Sequence, residues 1–287
     1  MTLNFSLSAQ QEKINIEPVK LAENIYVFKG TMSNSVLLAG AEGSLLIDSC
    51  DKGEVAALLD KTILRVTEYP VKYLINTHWH FDHVGGNEYF GANGVTIIGQ
   101  DEMRKRAVTQ PGMQGQSPLQ KAGLPVITYK NEMTMYLDGE EIYLFHPANQ
   151  NVHTDGDTVI YFKKSNIIHM GDLYFEGLYP YLDLEAGGWI NGMIAANQDI
   201  LKMLNDKTIV IPGHGPVTDM KKLEAYIAML SDISAKVTKM ITEGKTLEEV
   251  KALKPTEIYD EGWGKIFLKP DQFVELVYKG LKKNLKG

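Results

Sequence analysis

A chain of 287 residues, 44% hydrophobic and 23% charged, has a globular composition and enough length for a sizeable core, which excludes collagen-like, coiled-coil and disordered proteins. With 36 acidic against 29 basic residues, its formal charge is −7, a poor match to nucleic acid or an anionic membrane surface. The one cysteine, Cys50, excludes an internal disulfide framework, and no apolar run approaches the roughly 18 residues that span a bilayer.

Residues 1–9 run from apolar to small side chains ahead of Gln10 and Gln11. They read like the end of a secretory signal peptide without its basic start, which would place the protein in the periplasm or outside the cell. The alternative is a loose tail on a cytosolic protein. Residues 10–287 contain no linker rich in Pro, Gly or Ser and no repeat, so they read as one domain.

Three short strands follow, Asn24–Lys29, Ser35–Ala39 and Ser44–Asp48, separated by glycine-containing turns. Glu54 to Val66 has apolar residues at helical spacing. Val71–Asn76 is an apolar strand leading into a polar loop at His78–His83, and Val95–Gly99 is the next strand. Arg104-Lys105-Arg106 reads as a solvated helix face, and Val108 to Pro125 as a long loop that can serve as a binding wall. Strands return at Met133–Leu137, Glu141–Phe145, Thr158–Lys163 and Asn166–Met170. A helix at Ile190–Leu204, a strand at Thr208–Ile211 and helices at Met220–Ile241 and Asp271–Lys283 complete the chain. This alternation implies an α/β layered domain with helices outside a sheet core. Functional side chains are then expected on loops at strand ends.

Histidine is scarce, with 7 in the chain, yet residues 77–86 read Thr-His-Trp-His-Phe-Asp-His-Val-Gly-Gly. His78, His80, Asp82 and His83 place four metal-ligand types in six positions, and imidazole with carboxylate is a natural donor set for zinc. In an extended loop His78 and His80 point to one side, while Asp82 and His83 lie further round the turn and can reach a second ion. Two ions need more ligands. His153 in His-Thr-Asp-Gly-Asp, Asp172 in His-Met-Gly-Asp-Leu and His214 in Pro-Gly-His-Gly-Pro supply them. Each follows or separates expected strands and has a glycine nearby, which permits tight turns and close backbone approach.

The motif His78-x-His80-x-Asp82-His83, followed in order by His153, Asp172 and His214, resembles the metallo-β-lactamase superfamily from about Ile25 to Val217. The resemblance implies a four-layer αβ/βα sandwich with a dinuclear zinc site between the two sheets, two Zn²⁺ per chain. It places His78, His80 and His153 on the first zinc and Asp82, His83 and His214 on the second, with Asp172 bridging. Asp48 matches an early aspartate that steadies the His-rich loop. The flavodiiron reductases of similar fold carry glutamate at the position of His80, so His80 favours zinc hydrolysis over iron redox chemistry. Well-known β-lactamases carry a cysteine at the position of Asp172 and a carboxylate-clamping lysine three residues later, where this chain has Phe175. A bridging aspartate is what glyoxalase II, lactonase and phosphodiesterase relatives use.

The implied function is hydrolysis of a small-molecule substrate by a zinc-activated water, with Asp82 orienting that water. The implied bond is a β-lactam-like cyclic amide, with thioester and lactone as alternatives. Neither nucleic-acid binding nor membrane insertion is expected. A catalytically silent scaffold is the rival reading, set against the presence of all seven ligand types. His146 and His169 are expected to be structural, Cys50 to lack a catalytic role, and Met32, Trp79, Phe81, Tyr174, Tyr179 and Trp189 to divide between substrate wall and core.

Overall fold

The computed structural model describes residues 14–50, 53–109, 117–147 and 151–284. The segment read as a signal-peptide remnant lies outside them, as does residues 110–116 of the expected long loop.

One sheet has seven strands in sequence order, β1 (Glu17–Lys20), β2 (Ile25–Lys29), β3 (Ser35–Leu38), β4 (Ser44–Ile47), β5 (Val71–Ile75), β6 (Thr96–Gln100) and β7 (Ile127–Tyr129). It is antiparallel from β1 to β4 and parallel from β4 to β7. The second sheet has the order β12-β11-β10-β9-β8, built from β8 (Glu132–Leu137), β9 (Glu140–Phe145), β10 (Val159–Phe162), β11 (Ile167–His169) and β12 (Ile209–Ile211).

Side-chain alternation in the strands decides the layers. Ile25, Val27, Val36, Leu38, Leu45 and Ile47 face the second sheet and meet Ile142, Leu144, Ile160, Phe162, Ile167 and Ile211. The residues between them, such as Phe28, Leu37 and Leu46, face outward onto α1 (Gly53–Ile63) and α3 (Asn87–Ala92) through Val55, Leu59, Ile63 and Phe90. On the far side, Val159, Ile168 and Val210 face α5 (Ile190–Leu201), α6 (Met220–Thr242) and α9 (Pro270–Asn284). The central strands of both sheets, such as β3, β4, β10 and β11, are therefore covered on both faces, which is why they read as near-continuous apolar runs. The four-layer αβ/βα arrangement expected from the resemblance is observed.

The departures are local. Strand β1 has Glu17, Pro18 and Lys20, an edge composition that hides its pairing with β2 from a pattern search. The His-rich segment, expected to be a loop, contains α2 (Phe81–Val84), and α3 follows it. Both are too short for a readable period. A nine-residue helix, α4 (Asp101–Thr109), carries the basic triplet. Lys105 is solvated and pairs with Glu102, but Arg106 is held by Asp155 across a 2.5 Å ion pair and lies over the Trp79 ring. Arg104 donates to the carbonyl of Pro125. The basic triplet thus braces neighbouring loops. Two further short helices, α7 (Leu247–Ala252) and α8 (Asp260–Trp263), precede α9. No helix among the described residues is long and apolar enough to cross a membrane.

The intersheet layer carries the stability. Phe162 is fully buried there, so Phe162→Ala should lower the free energy of unfolding by about 3–5 kcal/mol. Tyr136→Ala, at an edge position 76% exposed, should change it by less than about 0.5 kcal/mol. Chemical denaturation of the two variants checks this; comparable losses would mean that the sheets do not share one core.

Candidate metal centre

All seven expected ligand residues converge at one end of the strands. His78 follows β5, Asp82 and His83 lie on α2, and His80 is the residue just before that helix. His153 sits in the loop before β10, Asp172 in a 3₁₀ turn (Gly171–Leu173) after β11, and His214 just after β12. They form two groups, His78, His80, His153 and Asp172, and Asp82, His83 and His214, in each of which the ligand atoms lie within 4.8 Å of one another.

In the first group His153 Nε2 lies 3.2 Å from His78 Nε2 and 2.8 Å from His80 Nδ1. Asp172 Oδ2 is 3.4 Å from His153 Nε2 and 3.8 Å from His78 Nε2. In the second, Asp82 Oδ2 is 3.4 Å from His83 Nε2 and 3.2 Å from His214 Nε2, and the two ring nitrogens are 3.4 Å apart. Asp172 Oδ1 lies 3.2 Å from His83 Nε2 and 3.3 Å from His214 Nε2. Donors about 2.0–2.2 Å from a tetrahedral ion stand roughly 3.3–3.6 Å apart. The observed spacings bracket that range. One carboxylate, Asp172, turns one oxygen to each group, and its buried Oδ1 has no hydrogen-bond partner among the described residues.

The outward ring nitrogens explain why five imidazoles can point inward together. His83 Nδ1–H donates to Asp48 Oδ2 at 2.7 Å, His153 Nδ1–H to the Tyr181 carbonyl at 2.8 Å, and His214 Nδ1–H to the Met32 carbonyl at 3.0 Å. His80 is reversed: its Nε2–H donates to Asp183 Oδ2 at 2.9 Å, leaving Nδ1 in the cluster. The Thr77 hydroxyl gives its hydrogen to Asp48 Oδ2 at 2.7 Å and so accepts from His78 Nδ1–H at 3.1 Å. With the hydrogen on the outward nitrogen, each ring in its neutral form turns a lone pair inward for a cation. This donor set fits a metal ion.

The chain builds these positions with few devices. Asp48 ends β4 in the left-handed region, φ 55°, where aspartate is better tolerated than most residues. Its Oδ1 also accepts from the Thr77 backbone N–H at 2.8 Å. Asp157 accepts from the backbone N–H groups of His153 and Thr154 and from the Thr154 hydroxyl, shaping the turn that presents His153. Asn34 donates to the carbonyls of Pro212 and Gly215, tying the turn around Met32 to the His214 loop. A Cβ on Gly213 would fall 2.0 Å from Asp172 Oδ1, so only glycine leaves room for the shared carboxylate. Asp48 was legible in the sequence. Asp157, Asp183, Asn34 and the carbonyls of Met32 and Tyr181 were not, although Asp157 stands in the same His-Thr-Asp-Gly-Asp run as His153.

Electrostatics divide the groups. Burial holds His78 well below its ordinary pKa, with His83 adding to the effect, and lowers His153 to about 4. Burial opposes charge on His83 as well, but Asp172, Asp82 and Asp48 prevail and raise it. His214 is raised to about 10 against its own burial, by Asp172 and Asp82. Burial would raise Asp82 and Asp172, yet the surrounding histidines hold both well below the carboxylate range.

His169 accepts from Gly171 N–H and meets the Asn34 carbonyl, and His146 meets the Asp157 carbonyl; neither joins a ligand group. Cys50 is buried. A cavity of about 260 Å³ opens over the ligands, lined by Met32, Phe81, Phe175, Leu178, Tyr181, Ile266 and Phe267 with His80, Asp82, His153, Asp172 and His214. Of the apolar wall expected from sequence, Met32 and Phe81 line it. Trp79, Tyr174 and Tyr179 are core residues, and Trp189 is half-buried away from the cavity. No lysine or arginine is among the lining residues, and Phe175 lies buried with its ring stacked on His214 at 5.0 Å. A larger groove of about 740 Å³ near β8, β9 and α5 contains none of the seven ligands.

Comparison with known proteins agrees with this geometry. Residues 29–214 match the sequence profile of the metallo-beta-lactamase superfamily. The chain is 25% identical over 236 residues to a metallo-beta-lactamase type 2 of Elizabethkingia meningoseptica, covering 79% of this chain and 89% of that one. It is 26% identical over 277 residues to a beta-lactamase-like protein 2 homolog of Caenorhabditis elegans, covering 90% and 81%. Among solved structures, a metallo-beta-lactamase from Pontibacter korlensis superposes with a TM-score of 0.63 at 23% identity, over 76% of this chain and all of that one.

Two outcomes test the centre. Asp48→Ala frees Thr77 and His83 together and should weaken metal binding about 10- to 100-fold, as for partners that orient ligands; equilibrium dialysis reads it, and unchanged affinity would remove Asp48 from the support. The raised pKa values of His83 and His214 mean that the metal-free second group holds protons at pH 7, whereas His78 and His153 are already neutral. Loading the second group should therefore release roughly one to two protons and the first almost none, and affinity at the second should fall as pH drops. Calorimetric zinc titrations in buffers of different ionisation enthalpy count these protons.

Proposed function

Since this chain belongs to the metallo-beta-lactamase superfamily and is a metal-dependent hydrolase, we propose that it holds two zinc ions and cleaves a small, uncharged carbonyl compound. The observation carrying this reading is the Asp172 carboxylate, one oxygen toward each donor group. Imidazole nitrogens and carboxylate oxygens without thiolate suit zinc. His78, His80 and His153 would hold the first ion and Asp82, His83 and His214 the second, with Asp172 shared. Bound there, zinc supplies a Lewis acid and a water that ionises near neutral pH.

The chain's own residues supply the rest. Asp82 borders the cavity and is the carboxylate placed to accept a hydrogen bond from the attacking water and to hold its proton. No serine, cysteine or lysine lines the cavity, which favours direct attack by water over a covalent acyl intermediate. Phe175, Leu178 and Phe81 keep the rest of the cavity apolar, excluding bulk water from the reacting carbonyl. An ester, thioester or lactone suits this wall. A cyclic amide of the β-lactam type is the second reading, favoured by similarity to the Elizabethkingia enzyme. Against it stands Phe175, since losing a charge-assisted contact to a substrate carboxylate costs about 1.5–3 kcal/mol, or roughly ten- to a hundredfold.

Purified protein should contain about two zinc per chain and lose activity on chelation. Asp172→Ala should deplete both sites, because its carboxylate is shared. Retention of full zinc content by that variant would defeat the bridging assignment, and bound iron in place of zinc would defeat the proposal. The same preparation, assayed on a lactam, a lactone, a thioester and an ester, ranks the bonds. A β-lactam kcat/KM of about 10⁶ M⁻¹s⁻¹ or more would put the cyclic amide ahead of the ester, thioester and lactone.

A further inference from the structure

We propose that Ile266 and Phe267, with Met32 of the same cavity, bind the apolar acyl chain of the substrate, so that the preferred compounds are medium-chain acyl derivatives. The inference rests on the hydrolase reading and adds the substrate class. The bend at residues 264–268 lies beyond the matched region, which ends at His214, and nothing in its sequence marks it as part of the site.

Its two ends are anchored. The Tyr179 N–H donates to the Trp263 carbonyl at 2.9 Å, and its hydroxyl to Asp260 Oδ1 at 2.8 Å. The Tyr179 ring stacks on Phe273 of α9 at 4.6 Å, and the Trp263 ring packs 5.6 Å from Tyr226. Between these anchors Ile266 is 80% and Phe267 45% exposed. Both line the cavity over the ligands, together with Met32, itself 54% exposed. The Phe267 ring runs parallel to Phe175 at 6.4 Å, and Phe175 in turn stacks on His214. A continuous apolar face thus leads from a ligand outward to the mouth. Lys265 on the same bend is paired with Glu261 and does not line the cavity.

Large apolar side chains on an anchored bend at a cavity mouth, left in water, lower the free energy of a complex that covers them. With no cationic side chain among the lining residues, the group that covers them best is an uncharged hydrocarbon chain attached to the carbonyl being cleaved. Burying one methylene is worth about 0.8 kcal/mol, or roughly fourfold.

The test compares p-nitrophenyl acetate, butyrate, hexanoate and octanoate as substrates of the zinc-loaded protein. The kcat/KM should rise about two- to fourfold per methylene until the mouth is filled. In the double variant Ile266→Ser, Phe267→Ser the octanoate-to-acetate ratio should fall at least about tenfold, with zinc content and circular dichroism of the wild type. Ile266 is mostly exposed and Phe267 only rests on Phe175, and wild-type zinc content and circular dichroism show that the fold survives the change. Calorimetry with butyrate and octanoate gives a reading independent of turnover: octanoate should bind at least about tenfold tighter to the wild type and lose that advantage in the variant. A flat chain-length profile in the wild type, or one that survives the substitutions, overturns the inference while leaving hydrolysis intact. A variant that alters only the oligomeric state, read by sedimentation, overturns it too, because the pair would then be a subunit contact. If no ester, thioester, lactone or lactam is cleaved while the octanoate advantage appears and vanishes as stated, the proposed function fails and the acyl site stands.

Discussion

The centre depends on one buried carboxylate. Asp48, fully buried at the end of β4, accepts hydrogen bonds from the Thr77 backbone, the Thr77 hydroxyl and His83 Nδ1. An ion in such a place is costly unless every lone pair is engaged. The need to engage them draws the segment after β5 against β4 and sets where the His-rich stretch begins. The same oxygen that steadies Thr77 orients His83, so the two donor groups share a single support. The left-handed backbone at Asp48 is the local strain accepted for this arrangement.

Around that support, the site is pre-organised by the bonds its imidazoles make outward. Carbonyls of Tyr181 and Met32, the carboxylate of Asp183 and the hydroxyl of Thr77 each take one ring hydrogen. Two of these acceptors lie far along the chain from their histidines. Asp183 lies 103 residues from His80, and Met32 lies 182 from His214. The His80–Asp183 and His214–Met32 bonds cross-link loops of the two sheets, and the outward bonds together turn five inward nitrogens toward two points. The charge pattern follows from the same packing. His78 and His153 are crowded by burial and other imidazoles, while His83 and His214 sit among carboxylates.

The cavity above the ligands has a second origin. Its floor is built from the segments that carry the seven donors, but Ile266 and Phe267 come from a bend between α8 and α9. The sheets supply the reactive geometry and the C-terminal helices supply part of the wall. The seven donors and the outer part of the wall thus come from separate parts of the chain.

The sequence by itself determined the donor set, because scarce histidines at His78, His80 and His83 beside Asp82 have few uses other than a metal, and His153, Asp172 and His214 recur at strand ends. The alternation of strands and helices also implied an α/β layered domain, and the family resemblance supplied its four layers. The sequence did not reveal β1, whose Pro18 and flanking charges mask an edge strand, or α2 and α3, which are shorter than any period can mark. Only the tertiary structure decided that one oxygen of Asp172 faces each group, that Asp183 turns His80 round, and that Phe267 reaches the cavity while Tyr174 and Tyr179 do not. The reason is physical. Ligand type and side-chain period are written into short stretches of sequence, whereas the partner of a ring nitrogen and the wall of a cavity depend on contacts between segments brought together only when the sheets pack.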